Sequence, residues 1–430
     1  MSTRSSITTA RAASFWGLLL AAAAIMMLTT GSRQTLGLFL SPLNTATGLG
    51  IVGLSFALAV GQFVWGAAQP VFGAFADRYG PGRIIVLGGL MLAAGMAITP
   101  FMQGQWELVF SLGVLSAAGA GAGSFAILIG AAAQRLPAER RSFAGGFINA
   151  GGSFGQFVIA PLTQAWISAF GWVNAMLSVA ALTLATLPLA WPLRRRVAPK
   201  PAAAAAQSAS SAAGQTADAA PAAPAEVTLR QQLRIALRDR SYLLLHLGFF
   251  TCGVHVAFLT THLPGEVALC GLSPQVAANA IAIIGLANIA GSLAAGVLGQ
   301  RYRMKHLLFW FYAARAVLIV AYLAAPKTTT TMYLFAIGMG LTYLATVPPT
   351  AGIVGKLFGP RYLATLFGLT LLSHQTGGFL GAYLGGVAIA STGSLQWMWI
   401  ADAVLALGAA LVHLPIREAP VMRAQPAPAT

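Results

Sequence analysis

Arg33 stands in an otherwise uncharged apolar run, FWGLLLAAAAIMMLTTGSRQTLGLFLSPL, over residues 15–43. A guanidinium is planar and grips a carboxylate through two parallel hydrogen bonds. Along a helix begun at Phe15 it lies roughly 27 Å from the start, in the middle or outer half of a bilayer. An ionised group at that depth is costly and faces a wet cavity or a partner. The chemistry this suggests is anion binding. His255 and His262 fall seven residues apart in a second apolar run, so they share a helix face. A histidine in a wet cavity can donate to a carboxylate and take up a proton near neutral pH. Its plainer role is a neutral ring bonded to a neighbouring helix. Tyr343 and Thr346 precede Pro348 and Pro349, which should kink or hinge the helix that carries them. His374 and Gln375 follow Ser373, and Gln156 stands alone in another apolar run. For each of these polar groups the competing role is to hold helices together.

The elements that position these residues follow from composition. The chain has 430 residues, 57% hydrophobic and 8% charged. That is too little charge to cover a soluble surface, and the class is an all-α membrane protein. The net charge of +16 does not point to nucleic acid, because the basic residues sit in short clusters between apolar runs. Runs long enough to cross a bilayer are predicted at about 15–40, 52–72, 84–102, 107–131, 143–165, 172–192, 241–263, 275–298, 306–325, 331–354, 363–388 and 396–415. Arg4 and Arg11 before the first run imitate a signal peptide, but the run is long and reads as an uncleaved span. Between spans, Lys and Arg fall on one side except Lys327, which predicts both termini in the cytoplasm of a multi-pass protein of the cell (inner) membrane.

This division predicts an N-terminal six-helix bundle over 1–192, a cytoplasmic linker over 193–240, a second bundle over 241–416 and a tail over 417–430. The linker opens as an Ala/Pro/Ser-rich tract with no capacity for a core. It ends in TLRQQLRIALRDR, where Leu and Arg each recur every four residues. That is a basic amphipathic helix for the inner leaflet, or a plain extension of the seventh span. Cys252 and Cys270 lie about a helix length apart and make no disulfide framework. No HExxH, GxSxG, Walker loop or CxxC is present, so no enzyme, cofactor, metal or ATP coupling is expected.

The halves echo each other. GAFADRYGPGR at 73–83 returns as GVLGQRYRMK at 296–305, and RSFAGGFINAGGS at 141–153 as RYLATLFGLTLLS at 361–373. At a similar offset of about 222, His255 is the counterpart of Arg33. A duplicated six-span unit is the pattern of a transporter with its site near the midplane. Arg315 and Asp402, opposite charges at similar depth in the ninth and twelfth runs, are expected to form a structural ion pair.

Gly73, Asp77, Arg78, Gly80 and Arg83, with Arg301 in the second copy, resemble the signature loop of the major facilitator superfamily. The segments GSRQTLGLFLSPL, GVHVAFLTTHLP and YLATVPPTAGIVGKLFGPRYLATLFG look like bacterial monocarboxylate and oxalate/formate-type carriers. The resemblance implies twelve transmembrane helices in two pseudo-symmetric six-helix bundles. It implies that spans 1, 4, 7 and 10 line a cavity, and that Asp77 latches an inner gate against a helix start in the other half. Two departures stand out: the eighth run carries no charge, and the eleventh offers His374 and Gln375 where the exchangers have a basic residue. The expected function is secondary transport of a small organic anion, a monocarboxylate, by proton symport or anion exchange in a monomer. Arg33, His255, His262, Tyr343, His374 and Gln375 are its expected binding residues. The alternatives are an efflux carrier for amphipathic compounds and a transport-inactive membrane sensor.

Overall fold

A computed structural model describes residues 3–133, 138–194, 228–359 and 362–421. The Ala/Pro/Ser tract, the tail beyond 421 and the side chain of Asp77, all subjects of expectations above, lie outside the described residues. Regular structure among the described residues is helical. Ten stretches are long and apolar enough to cross a membrane. One of them, Ala144–Leu193, spans 50 residues and holds two spans, separated at Gly171, whose φ of 79° and ψ of 162° no helix allows. The helix Leu363–Thr392 adds another, and the whole is twelve spans in two six-helix bundles. In order they are Phe15–Thr47, Gly50–Tyr79, Pro81–Phe101, Gln105–Ala132, the two parts of Ala144–Leu193, Arg240–Leu269, Pro274–Arg301, Met304–Ala324, Thr329–Phe358, Leu363–Thr392 and Gln396–His413. We refer to them as spans 1–12. Gly80, with φ of 94°, makes the turn between spans 2 and 3 and takes a conformation that L side chains avoid.

Three spans, 1, 4 and 10, are broken within their length. Span 1 leaves the α-helix at Gln34, passes through a 3-10 turn at Leu36–Phe39 and resumes at Leu40. Span 4 contains π-helical turns over Val109–Ser116 and a further break at Gly123. Span 10 ends one helix at Thr342 and starts the next at Val347. Pro348 sits at the start of that second helix, where the missing N–H costs least.

Glycines set the closest packing. A Cβ at Gly151 or Gly155 on span 5 would overlap the carbonyls of Ala23 and Met27 on span 1. The second bundle repeats this: Gly377 and Gly381 on span 11 press on the carbonyls of Phe250 and Val254 on span 7. Between the bundles, span 2 meets span 11, with Phe56 stacked edge-on against Phe379 (6.1 Å) and Tyr383 (5.9 Å). Span 5 meets span 8, where Asn288 donates from Nδ2 to Ser153 Oγ at 2.8 Å. Asn288 Oδ1 also accepts from the Leu344 N–H in the break of span 10 (2.9 Å).

The expected ion pair is not formed. Arg315 is fully buried and donates from Nη2 to the carbonyls of Thr342 (2.5 Å) and Tyr343 (3.0 Å). These belong to the end of the first helix of span 10, where carbonyls lack intrahelical partners. Asp402 faces span 7 instead and pairs with His255. Similar depth on neighbouring helices did not bring the two charges together, because Asp402 turns toward span 7 and the helix end offers Arg315 carbonyls without intrahelical partners.

The linker helix Leu229–Ala236 is separate from span 7. Thr228 and Gln231 cap its start reciprocally, and Asp239 Oδ1 accepts from the Tyr242 N–H to start span 7. At the same end of this bundle, the segment after span 12 is strapped across it. Arg417 donates to Asp239 Oδ2 (2.7 Å) and, from its backbone, to Ser241 Oγ (3.0 Å). Glu418 accepts from the Lys305 N–H (2.7 Å) and from Lys356 Nζ (2.8 Å), and the Val421 N–H bonds Leu357 O (3.0 Å).

Candidate functional site

Arg33 occupies the last turn of the first helix of span 1, immediately before the break. It borders a narrow cavity lined by span 1, span 2, span 4 and span 7. Arg33 Nη1 donates to Gln62 Oε1 at 2.6 Å. The guanidinium lies 4.2 Å above the Trp65 ring, on the same face of span 2 one turn further on. Its Nε is buried and has no hydrogen-bond partner. The side-chain ion pairs among the described residues are His255–Asp402, Lys356–Glu418 and Arg417–Asp239, and Arg33 enters none of them. A stacked ring and a neutral amide therefore orient the charge without neutralising it.

The remaining walls are mostly apolar. Leu36, Leu58 and Leu112 face hydroxyls from Ser116, Thr260 and Thr261. Thr260 already spends its hydrogen on Val256 O at 2.8 Å. Gly37 lies so close to the carbonyls of Thr260 and Thr261 that no side chain fits between spans 1 and 7. Tyr343 reaches this region from span 10, where its hydroxyl donates to Val256 O of span 7 (3.3 Å).

The other predicted residues disperse. His255 is not at the cavity, because it turns into the second bundle toward Asp402 and is 1% exposed. His262 is also buried, with Nε2 bonded to the Ala382 carbonyl of span 11 at 2.7 Å. His374 packs against the Phe249 ring (4.8 Å) and bonds Gln375. Gln375 lies in the seam with span 2, pressed on Gly66. Neither residue lines the cavity described. Of the loop residues, Arg78, Arg83 and Arg301 are exposed, and nothing crowds Gly73.

Three residues escaped the sequence reading. Gln62 and Trp65 lie on span 2, which was assigned a flanking place. A lone Gln one turn from a Trp in an apolar run was the signal available. Glu266 lies on span 7 because that helix continues to Leu269, past the expected end at 263. It accepts from the Tyr322 hydroxyl at 2.5 Å, near the far end of span 9.

The model of the Major Facilitator Superfamily matches residues 18–273 and 267–429. Monocarboxylate transporter 13 of Rattus norvegicus is 26% identical over 365 residues, covering 84% of this chain and 78% of the relative. Monocarboxylate transporter 11 of Mus musculus is 25% identical over 415 residues, covering 94% and 88%. Among solved structures, a D-xylose-proton symporter superposes with a TM-score of 0.73 at 14% identity, covering 94% of this chain and 98% of that one.

Proposed function

The chain belongs to the Major Facilitator Superfamily, and from that premise we propose that it is a secondary carrier of a small monocarboxylate. It works by alternating access at the cavity between its two bundles, coupled to a proton or to a second anion. The observation that carries this reading is Arg33, a fixed cation at a cavity with no carboxylate paired to it. A buried guanidinium calls for an anion, and the cargo supplies one. With a single such cation and walls of Leu36, Leu58 and Leu112, the site favours one carboxylate over two. The monocarboxylate transporters among its relatives agree with that class. Tyr343 completes the site from span 10, and Gln62 holds the fork of Arg33 until the substrate takes it. The distribution of Lys and Arg supports termini on the cytoplasmic side of the cell membrane.

Uptake of labelled lactate, pyruvate and formate into proteoliposomes tests this. Uptake should be lost in Arg33→Gln. In Arg33→Lys, which forfeits one of two charged hydrogen bonds worth about 1.5–3 kcal/mol, affinity should fall about 10- to 150-fold. Wild-type uptake in Arg33→Gln would overturn the assignment.

A further inference from the structure

Outside the cavity, the densest group of titratable side chains lies in the core of the second bundle. His255 on span 7 presents Nδ1 to Asp402 on span 12, and both are 1% exposed. Both ring nitrogens are buried and neither has a partner at hydrogen-bond geometry; Nδ1 is the one in contact with the carboxylate. Tyr312 and Arg315 face this pair from span 9, with the Tyr312 ring 6.5 Å from that of His255. His413 of span 12 stacks on Tyr312 at 5.1 Å. Cys252 lies one turn before His255 and contacts Arg315 (3.8 Å), while Thr346 of span 10 lies 3.3 Å from its sulfur. His374 comes from span 11, beside Phe249, and Tyr343 from span 10. Asp402 is the one carboxylate of this group, and Arg315 its one permanent cation.

We propose that the His255–Asp402 pair is a proton-binding site, with His255 Nε2 as the acceptor atom, read out at the break in span 10. This rests on the carrier reading above and names the co-transported ion. A carboxylate at Nδ1 selects the tautomer with its hydrogen on Nδ1, which leaves the Nε2 lone pair free. An unoccupied basic nitrogen in a dry core is a vacant site for one proton.

The charges then give the coupling. Without the added proton, the one carboxylate and the one permanent cation of the group sum to no net charge, although the two are not in contact. With it, the pair is internally neutral and the charge of Arg315 stands uncompensated. Arg315 is bonded to the carbonyls of Thr342 and Tyr343, and the Tyr343 hydroxyl donates to Val256 O on span 7, the helix whose Thr260 and Thr261 line the cavity. The proton therefore adds positive charge to a group that touches the substrate site through one residue. A carboxylate bound at Arg33 is attracted by that added charge. Each ligand lowers the cost of the other, which is the reciprocal linkage that symport requires.

The test uses the full-length protein in proteoliposomes with labelled lactate, in two assays: accumulation driven by an inward proton gradient, and exchange without a gradient. Wild type should do both. Asp402→Asn and His255→Gln should reduce gradient-driven accumulation at least tenfold while exchange stays within about twofold. Accumulation at the wild-type level in both variants would overturn the proposal. So would loss of exchange together with accumulation, since the pair would then hold the bundle together and no more. Wild type that fails even to exchange would defeat the carrier reading itself, and this site with it.

Discussion

Arg315→Met removes a charged donor from the break in span 10 and leaves a side chain of comparable length. The carbonyls of Thr342 and Tyr343 then lose their acceptor bonds of 2.5 and 3.0 Å. Hydrogen bonds between membrane helices average about 0.6 kcal/mol and reach about 1.7. Both carbonyls belong to a helix end and have no N–H of their own to fall back on. The upper end of that range applies, about 3 kcal/mol for the pair. Relief from burying a guanidinium acts in the opposite direction, leaving a net loss of about 1–3 kcal/mol. For a bundle of this size each kcal/mol moves an unfolding midpoint by roughly 2–4 °C. Thermal unfolding of the purified protein in detergent should show a midpoint lower by about 3–10 °C. Arg315→Lys, keeping one donor, should fall between. A midpoint for Arg315→Met equal to or above that of wild type would refute the claim that this side chain holds the break.

Two further outcomes follow from contacts elsewhere. In Gly37→Ala the added Cβ meets the carbonyls of Thr260 and Thr261, so spans 1 and 7 should no longer close together. Thiol labelling of a cysteine placed at Thr261 should rise, and substrate uptake should fall. Burial acts to raise the Glu418 carboxyl, but the Lys305 N–H and the Lys356 ammonium outweigh it and hold the group below the usual glutamate range. Its contribution is complete above the unfolded value of about 4.3 and is lost as pH falls through the lower folded value. Protease access to the strap at 417–421 should therefore rise on acidification below about pH 4, and Glu418→Gln should show that access already at neutral pH.

The span order and the duplicated halves were legible because charge and apolarity alternate over whole helices. Arg33 was legible for a related reason: a lone cation in an apolar run leaves few places to go. What the sequence withheld was rotation. Membrane helices are apolar all round, so periodicity does not say which way a polar residue points. His255 matches Arg33 in register yet faces Asp402. Arg315 and Asp402 match in depth yet turn to different partners. Gln62 and Trp65 were passed over because span 2 was placed beside the cavity, whereas their shared face brings both onto Arg33. Glu266 was missed because the end of span 7 was set six residues short of Leu269.

The glycine contacts of Gly151 and Gly155 with span 1, and of Gly377 and Gly381 with span 7, bear on how the molecule moves. Backbones in direct contact cannot slide past each other without a clash, so each pair behaves as one stiff strut. Arg33 must then be carried by span 5 as much as by span 1. The joints that flex lie where helices are already cut: in span 1 just past Arg33, at Gly123 in span 4 and after Thr342 in span 10. Arg33 thus stands at the end of a stiff beam, beside the joint in its own span.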